Sequence, residues 1–289
     1  MPLSGRCDMR ILGALVGCMC CTGQDPVQGD WAFTPGNLRA SERVARTAMT
    51  SSTVPGLQVQ PPSARDFGDT LQLLLTSGGV TNSSIRSVLV RLLGKPIDEC
   101  HALCVPTAQW GHPMCGPASV RGFVSAEPTR HLTGLGWASL GVLELTALPS
   151  IGAERWVPWV LAADVLLVDG GDATYLCHWM RESGLADLLP SLPDTVWVGV
   201  SAGSMVMTPR IGTYFVEWPS APDDRTLGVV DFSIFPHLDL FPQNTLADAK
   251  RWAADIGVPA YAIDEQTAIT VVDGSVEVVS EGQWTKFES

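Results

Sequence analysis

A buried strand that ends in a serine turn limits the fold of this chain more than any other feature of its sequence. Apolar residues 196–198 run into Gly199-Val200-Ser201-Ala202-Gly203. The glycines of such a Gly-x-Ser-x-Gly motif allow a sharp strand-to-helix turn that lifts the serine hydroxyl clear of a sheet. The N–H of Ala202 would then face a developing oxyanion. The pattern predicts a nucleophile elbow, and an ordinary strand-to-helix turn is the alternative.

Composition excludes several classes of protein. The 289 residues are 46% hydrophobic and 17% charged, which is enough chain for a large buried core. The net charge of −12 argues against a nucleic-acid surface, because phosphate contacts need clustered Lys and Arg. No stretch approaches the roughly 18 consecutive apolar residues of a membrane helix. We therefore expect a soluble, cytoplasmic protein that binds neither nucleic acid nor membrane.

Residues 1–69 differ in composition from the rest of the chain. They are rich in Pro, Ser, Thr, Gly and Gln, which predicts a disordered extension or a start codon placed too far upstream. The alternative is a lipoprotein signal ending at Cys18, although its apolar stretch of about seven residues is the minimum for an export signal. No linker or repeat divides residues 70–289, which we interpret as one catalytic domain.

Apolar runs alternate with helical patterns along that domain. Runs typical of buried strands lie at residues 71–75, 102–106, 142–145, 164–168 and 196–200. Helical spacing follows the capping residue Asn82 as far as Leu93, and again from Ala173 to Glu182. Such alternation predicts a three-layer α/β sandwich with a mostly parallel central sheet. Short strands are predicted at 261–263, 268–272 and 276–279, the last two joined by a hairpin turn at Asp273-Gly274.

The cysteines give no clear metal site. Cys100 and Cys104 flank His101, but no second Cys or His pair has metal-binding spacing. Buried free thiols are the simpler interpretation. We expect neither a metal ion nor a cofactor.

A serine nucleophile needs a base, and His237 is the one histidine that follows Ser201 in the sequence. Pro236 stiffens its loop, which suits a side chain that must be aimed, and a surface-loop histidine is the alternative. An acid must orient the imidazole, and three residues could supply it: Asp239, Asp264 and Glu265. The order Ser, His, acid disfavours an α/β-hydrolase, in which the acid usually precedes the histidine.

Taken together, these motifs resemble those of peptidase family S51, the group of peptidase E and cyanophycinase. The resemblance covers roughly residues 71–279 and rests on ordered blocks: Leu75-Thr76-Ser77-Gly78-Gly79, Val168-Asp169-Gly170-Gly171-Asp172, Gly199-Val200-Ser201-Ala202-Gly203-Ser204, Leu227-Gly228-Val229-Val230-Asp231-Phe232, Phe235-Pro236-His237 and Tyr261-Ala262-Ile263-Asp264-Glu265. It implies a class I glutamine amidotransferase-like fold and hydrolysis of small peptides, including dipeptides with an acidic first residue. The related amidotransferases carry cysteine at the position of Ser201, so the serine points towards peptidase chemistry.

Position by position, the resemblance implies roles for individual residues. Ser201 matches the nucleophile and His237 the general base. Gly171 and Ala202 match the donors of the oxyanion hole, and Glu265 is the best match for the acid.

The chain departs from the family pattern at two places. Asp172 replaces a common asparagine, which would put a negative charge near the site, and His237-Leu238-Asp239 resembles the His-x-acid arrangement of the amidotransferases. Arg210 is a candidate to bind an acidic first residue, since arginine binds carboxylates through two parallel hydrogen bonds. A solvated arginine is the alternative.

Two other functions are compatible with these motifs. An esterase or acyl hydrolase could use the same Ser201–His237 pair. A catalytically silent binding or regulatory member of the fold could retain the elbow as structure alone. The loss of the histidine base, or of an accessible serine turn, would favour a protein without catalytic activity. The sequence shows neither loss.

Overall fold

The apolar runs form the strands of a central sheet. A computed structural model describes residues 71–288, so the Cys18 motif and the predictions for residues 1–69 lie outside the described residues. The strands are β1 (Gln72–Thr76), β2 (His101–Val105), β3 (Ser139–Val142), β4 (Val165–Val168), β5 (Val196–Val200), β6 (Ser233–Phe235), β7 (Ala260–Ile263), β8 (Thr267–Val272), β9 (Ser275–Ser280) and β10 (Trp284–Phe287). The α-helices are α1 (Ser83–Leu93), α2 (Pro117–Val124), α3 (Ala153–Leu161), α4 (Ala173–Glu182), α5 (Leu185–Leu188), α6 (Ala202–Met205) and α7 (Leu246–Ile256).

The central sheet has seven strands in the order β3-β2-β4-β5-β1-β8-β9. The first five are parallel to one another, and β8 and β9 are antiparallel additions. Alternate residues of β4 enter different cores: Leu166 and Val168 face one apolar cluster, and Val165 and Leu167 face the other. A sheet buried on both faces explains why its strands are apolar throughout. The predicted α/β fold with a mostly parallel central sheet is confirmed.

A second, smaller sheet was not predicted from the sequence. Its order is β10-β7-β6, with β6 and β7 parallel and β10 antiparallel to β7. Helix α7 covers it, and Phe235, Trp252 and Ala262 belong to the cluster between them. The end of β6 carries the chain directly to His237.

Local signals account for several element ends. Asn82 caps α1 by accepting a hydrogen bond from the Ile85 N–H at 2.9 Å. Helix α4 has the predicted bounds, and its N-cap is Asp172. Asp273 and Gly274 both have positive φ, as a two-residue hairpin between β8 and β9 requires.

The third strand lies earlier than the sequence analysis expected. It spans Ser139–Val142, and Leu145–Ser150 form a 3₁₀ helix. The Glu144 carboxylate accepts from the Thr146 N–H, and the Thr107 hydroxyl accepts from the Leu145 N–H. Because side chains bind these N–H groups, they are not available to a strand ladder.

The cysteines within residues 71–288 are free thiols. Burial raises the pKa of Cys104 to about 12, so its reactive thiolate is disfavoured. Over the same range, no three His, Cys, Asp or Glu side chains converge as metal ligands would. None of the described helices combines the length and apolar character needed to span a bilayer.

Candidate active site

Ser201 lies at the sharp turn between β5 and α6. Its backbone has φ 49° and ψ −110°, a conformation that few non-glycine residues adopt. Hydrogen bonds hold the turn on both sides: the Ser201 N–H donates to the Thr76 carbonyl at 3.0 Å, and the Met205 N–H donates to the Ser201 carbonyl at 2.9 Å. The turn has the geometry of a nucleophile elbow.

The backbone around His237 is fixed by hydrogen bonds to the ends of two other strands. Its N–H donates to the Ser77 hydroxyl at 2.6 Å, and that hydroxyl donates to the Ile263 carbonyl at 3.1 Å. Like Ser201, His237 has a positive φ, of 59°. The result is that Nε2 of the ring lies 2.9 Å from the Ser201 Oγ.

Glu265 completes a chain of hydrogen bonds. Its Oε1 lies 2.5 Å from Nδ1 of His237. The turn between β7 and β8 is held in place because the Thr81 hydroxyl donates to the Glu265 carbonyl at 2.5 Å. A carboxylate that accepts the Nδ1 proton leaves Nε2 free to accept the proton of the Ser201 hydroxyl.

The other two candidate acids are placed differently. Asp264 accepts hydrogen bonds from the Gln266 and Gln283 N–H groups and from the Thr267 hydroxyl. Asp239 is exposed, and over residues 71–288 no hydrogen bond joins its side chain to His237, whose Nδ1 lies against Glu265. The structure therefore brings Glu265, and neither aspartate, to the imidazole.

The two residues predicted for the oxyanion hole flank Ser201. Gly171 has a φ of 133°, and a Cβ there would overlap the carbonyl of Ala108. A Cβ on the preceding Gly170 would lie 3.4 Å from the Ser201 Cβ, which places this loop against the elbow. Within residues 71–288, the N–H groups of Gly171 and Ala202 donate to no protein acceptor. Both remain available to an oxyanion.

Asp172 does not put a free charge into the site. It is fully buried, and its Oδ1 accepts from the Tyr175 N–H at 2.7 Å and the Thr174 hydroxyl at 2.6 Å. Its Oδ2 accepts from the Glu217 and Trp218 N–H groups at 2.7 and 2.8 Å. Four donors occupy this carboxylate, which caps α4 and fixes the loop at Glu217.

Arg210 is engaged elsewhere, which corrects the expectation that it receives a substrate carboxylate. Its guanidinium pairs with Asp224 at 3.0 Å, and its Nη1 donates to the Ile256 carbonyl at 3.3 Å. It does not line the cleft that contains Ser201. No sequence pattern indicated this contact, because Asp224 is 14 residues away and lies outside the helices and strands.

Ser201 and His237 open into a cleft of about 740 Å³. Its polar lining near Gly170 includes Gln109, Arg130 and Asp169, and the Asp169 carboxylate accepts from the Gly170 N–H at 2.8 Å. Its wall beside His237 includes the large side chains Tyr214, Leu240 and Phe241, with Gln243 and Asn244 among the polar residues of the same segment. Of these lining residues, Asp169 lies in a motif noted in the sequence, whereas the others share no local pattern by which they could be recognised.

Asp169 should make stability depend on pH. Burial raises the pKa of its carboxyl from 3.8 to about 7, although Gly170, Gln109 and Arg130 favour the charged form. The folded state thus prefers the neutral acid. The contribution of Asp169 to the free energy of unfolding is therefore fully present below pH 4 and is lost as the pH rises to about 7. One pKa unit corresponds to about 1.4 kcal/mol. Relative to Asp169→Asn, the wild type should lose a few kcal/mol of unfolding free energy over that window. Urea unfolding at pH 4.5 and pH 8 measures this loss. The same change in unfolding free energy for the wild type and for Asp169→Asn would contradict the prediction.

Gly78 provides the space for the Glu265 carboxylate. A Cβ at position 78 would overlap Oε2 of Glu265, so Gly78→Ala should push that carboxylate away from His237. We expect the rate of any reaction catalysed by the Ser201–His237 pair to fall about as far as in a variant lacking the carboxylate, with little change in the melting temperature, because only a side-chain end must move. Gly116→Ala is the control, since a Cβ there meets nothing within 4 Å. An unchanged rate in Gly78→Ala would show that the carboxylate position is unimportant.

Known proteins resemble this chain in sequence and in fold. The sequence profile of peptidase family S51 matches residues 73–279. An uncharacterised peptidase of Pasteurella multocida is 29% identical over 115 residues, which are 37% of this chain and 56% of that protein. The chain thus matches little more than half the length of that relative.

Two solved structures have a similar fold. A putative peptidase E protein of Listeria monocytogenes EGD-e superimposes with a TM-score of 0.52 at 19% identity, covering 74% of this chain and 100% of that one. A peptidase of an acI-B1 actinobacterium gives a TM-score of 0.55 at 17% identity, covering 77% and 96%. At such identities the likeness concerns the fold.

Proposed function

The chain belongs to peptidase family S51, and we propose on that basis that it is a serine peptidase of small peptides with Ser201 as its nucleophile. The observation that carries the proposal is the continuous path of hydrogen bonds from the Ser201 Oγ through His237 to Glu265, at 2.9 and 2.5 Å. Nucleophile, base and orienting acid are recognised by this mutual geometry and not by their order in the chain.

The geometry supports a two-step acyl transfer. The Ser201 Oγ attacks the peptide carbonyl carbon, and His237 Nε2 takes the hydroxyl proton. The oxygen of the tetrahedral intermediate becomes negative and accepts hydrogen bonds from the N–H groups of Gly171 and Ala202. When the C–N bond breaks, the imidazolium of His237 returns the proton to the leaving amine. Water, deprotonated by the same imidazole, then hydrolyses the acyl ester and restores the Ser201 hydroxyl.

Glu265 acts through the imidazole and not on the substrate. Its charge stabilises the imidazolium that exists while His237 holds the proton, and its position selects the tautomer. The carboxylate is only partly buried, with 28% of its side chain exposed. Solvent therefore weakens its charge interaction with the imidazolium, and its fixed position beside Nδ1 is important for catalysis.

A small peptide is the substrate best matched to this cleft. A cleft of about 740 Å³ holds a few residues and lies within the usual range of small-ligand sites. A preference for an acidic first residue has no support from Arg210, whose guanidinium is bound to Asp224. The proposal is accordingly a small-peptide hydrolase without an assigned first residue.

The test is covalent labelling with a fluorophosphonate, which reacts with activated serines. We expect stoichiometric loss of peptidase activity and a single modified residue, Ser201, when the labelled protein is digested and sequenced by mass spectrometry. Ser201→Ala should not be labelled, and Ser220→Ala, which changes an exposed serine, should react like the wild type. Labelling elsewhere, or an unreactive wild type, would refute the assignment.

A further inference from the structure

The wall of the cleft beside His237 contains large apolar side chains that are open to solvent. Tyr214 is 47% exposed and Leu240 is 49% exposed, and both line the cleft together with Phe241. Apolar groups of this size usually contribute to the core, where each stabilises the fold. Grouped exposed side chains of this kind are typical of a binding surface.

The fold holds these side chains in place. The Tyr214 hydroxyl donates to the Gln243 carbonyl at 2.7 Å, and its ring packs on Phe215 with centroids 4.9 Å apart. The Leu240 N–H donates to the His237 carbonyl at 3.1 Å, so Leu240 moves with the catalytic loop. The Phe241 ring lies edge-on to the His237 imidazole, with centroids 5.7 Å apart. The surface is therefore preformed, and little ordering is needed when a ligand binds.

The position of His237 determines which part of a substrate meets this wall. In acyl transfer the imidazole must protonate the leaving amine, so that amine lies next to Nε2 when the C–N bond breaks. Leu240 and Phe241 lie beside that imidazole: the Leu240 N–H donates to the His237 carbonyl, and the Phe241 ring centroid is 5.7 Å from that of the imidazole. The residue that follows the scissile bond is thus directed towards Leu240, Phe241 and Tyr214.

We infer that Tyr214, Leu240 and Phe241 form an apolar subsite for the side chain of the residue that follows the scissile bond. This inference rests on the proposed peptidase function, since it takes the leaving group to be an amino acid or peptide. The class of substrate is a small peptide whose second residue carries a large apolar or aromatic side chain. The aromatic edges and faces of Tyr214 and Phe241 suit an aromatic ring in particular.

Turnover of three dipeptides tests the subsite. The kcat/KM for alanyl-phenylalanine should exceed that for alanyl-glycine by about 10- to 100-fold, the range expected from burying one large apolar side chain. Phenylalanyl-alanine, which places the ring before the scissile bond, should gain no comparable advantage over alanyl-alanine. If the preference follows the first residue, or if all rates are equal, the subsite is refuted.

Variants locate the preference. Leu240→Ala and Tyr214→Ala should each lower the rate with alanyl-phenylalanine several-fold and leave alanyl-glycine unchanged, while Tyr214→Phe, which keeps the ring, should retain most of the preference. Leu246→Ala is the matched control, because Leu246 is 37% exposed but lies outside the cleft. Equal losses for both dipeptides in Leu240→Ala would indicate a general structural role and refute the subsite.

Calorimetry with Ser201→Ala separates the subsite from the chemistry. This variant should bind alanyl-phenylalanine more tightly than alanyl-glycine by about the same factor, and the preference should vanish when Leu240→Ala is added. Preferential binding without fluorophosphonate labelling of the wild type would refute the proposed peptidase function but support the apolar subsite. Equal binding of the two dipeptides alongside normal labelling would refute the subsite alone.

Discussion

Replacement of Ser201 or His237 by alanine is expected to lower the kcat for peptide hydrolysis by roughly 10⁴-fold or more. Each change removes one end of the 2.9 Å contact through which the hydroxyl proton is transferred. Because the two residues act as a unit, the double variant should be about as impaired as either single variant. Steady-state kinetics on the three proteins, with melting curves to confirm folding, measures the effect.

His101→Ala is the control for these variants. His101 is exposed at the start of β2, and strands of a parallel sheet present their active-site loops at the opposite, carboxyl end. Its replacement should leave kcat unchanged. Near-normal turnover by either Ser201→Ala or His237→Ala would mean that another residue performs the chemistry.

The second large effect is expected for Glu265→Gln, which should lower kcat by about 10²- to 10⁴-fold. The amide has nearly the shape of the carboxylate but cannot stabilise an imidazolium, and it can hold the ring in the wrong tautomer. Asp239→Asn is the matched control, since it makes the same chemical change on the exposed side of the His237 loop. Comparison of kcat for the two variants tests the assignment.

The opposite result would be equally informative. Full activity in Glu265→Gln together with a large loss in Asp239→Asn would indicate the His-x-acid arrangement of the amidotransferases. In that event the 2.5 Å contact of Glu265 with Nδ1 would be structural.

The central sheet could be predicted from the sequence because each of its buried strands is a recognisable run of apolar residues. β4 is buried along its whole length, so every residue is apolar and the strand is recognisable without its neighbours. The smaller sheet has no such signal, because β6 is only three residues long and begins with a buried serine. Helix α7 could have been predicted: Thr245 and Asp248 form a capping box, and Ala249, Trp252 and Ile256 follow at helical spacing.

Within the candidate site, sequence motifs indicated residues in tight turns. They did not indicate residues whose hydrogen-bond partners are distant in the sequence. Ser201 was recognisable from the glycines around it. Ser77 was not, although its hydroxyl binds both the His237 N–H and the Ile263 carbonyl, because these partners lie 160 and 186 residues away. The wrong prediction for Arg210 has a similar cause, because no sequence pattern links this residue to Asp224, with which it forms an ion pair.

The chemistry of this protein is divided between its two sheets. Ser201 follows a strand of the seven-stranded sheet, His237 follows a strand of the three-stranded sheet, and Glu265 lies in the turn that joins them. Because Ser201 and His237 follow strands of different sheets, their 2.9 Å contact exists only while the two sheets are docked. Activity therefore depends on docking: a partial separation of the small sheet would abolish catalysis, and it would also open the apolar cluster in which Ile234 and Tyr261 pack with residues of the large sheet. Such a protein can be inactivated by a rearrangement far smaller than unfolding, and its loss of function need not follow its loss of structure.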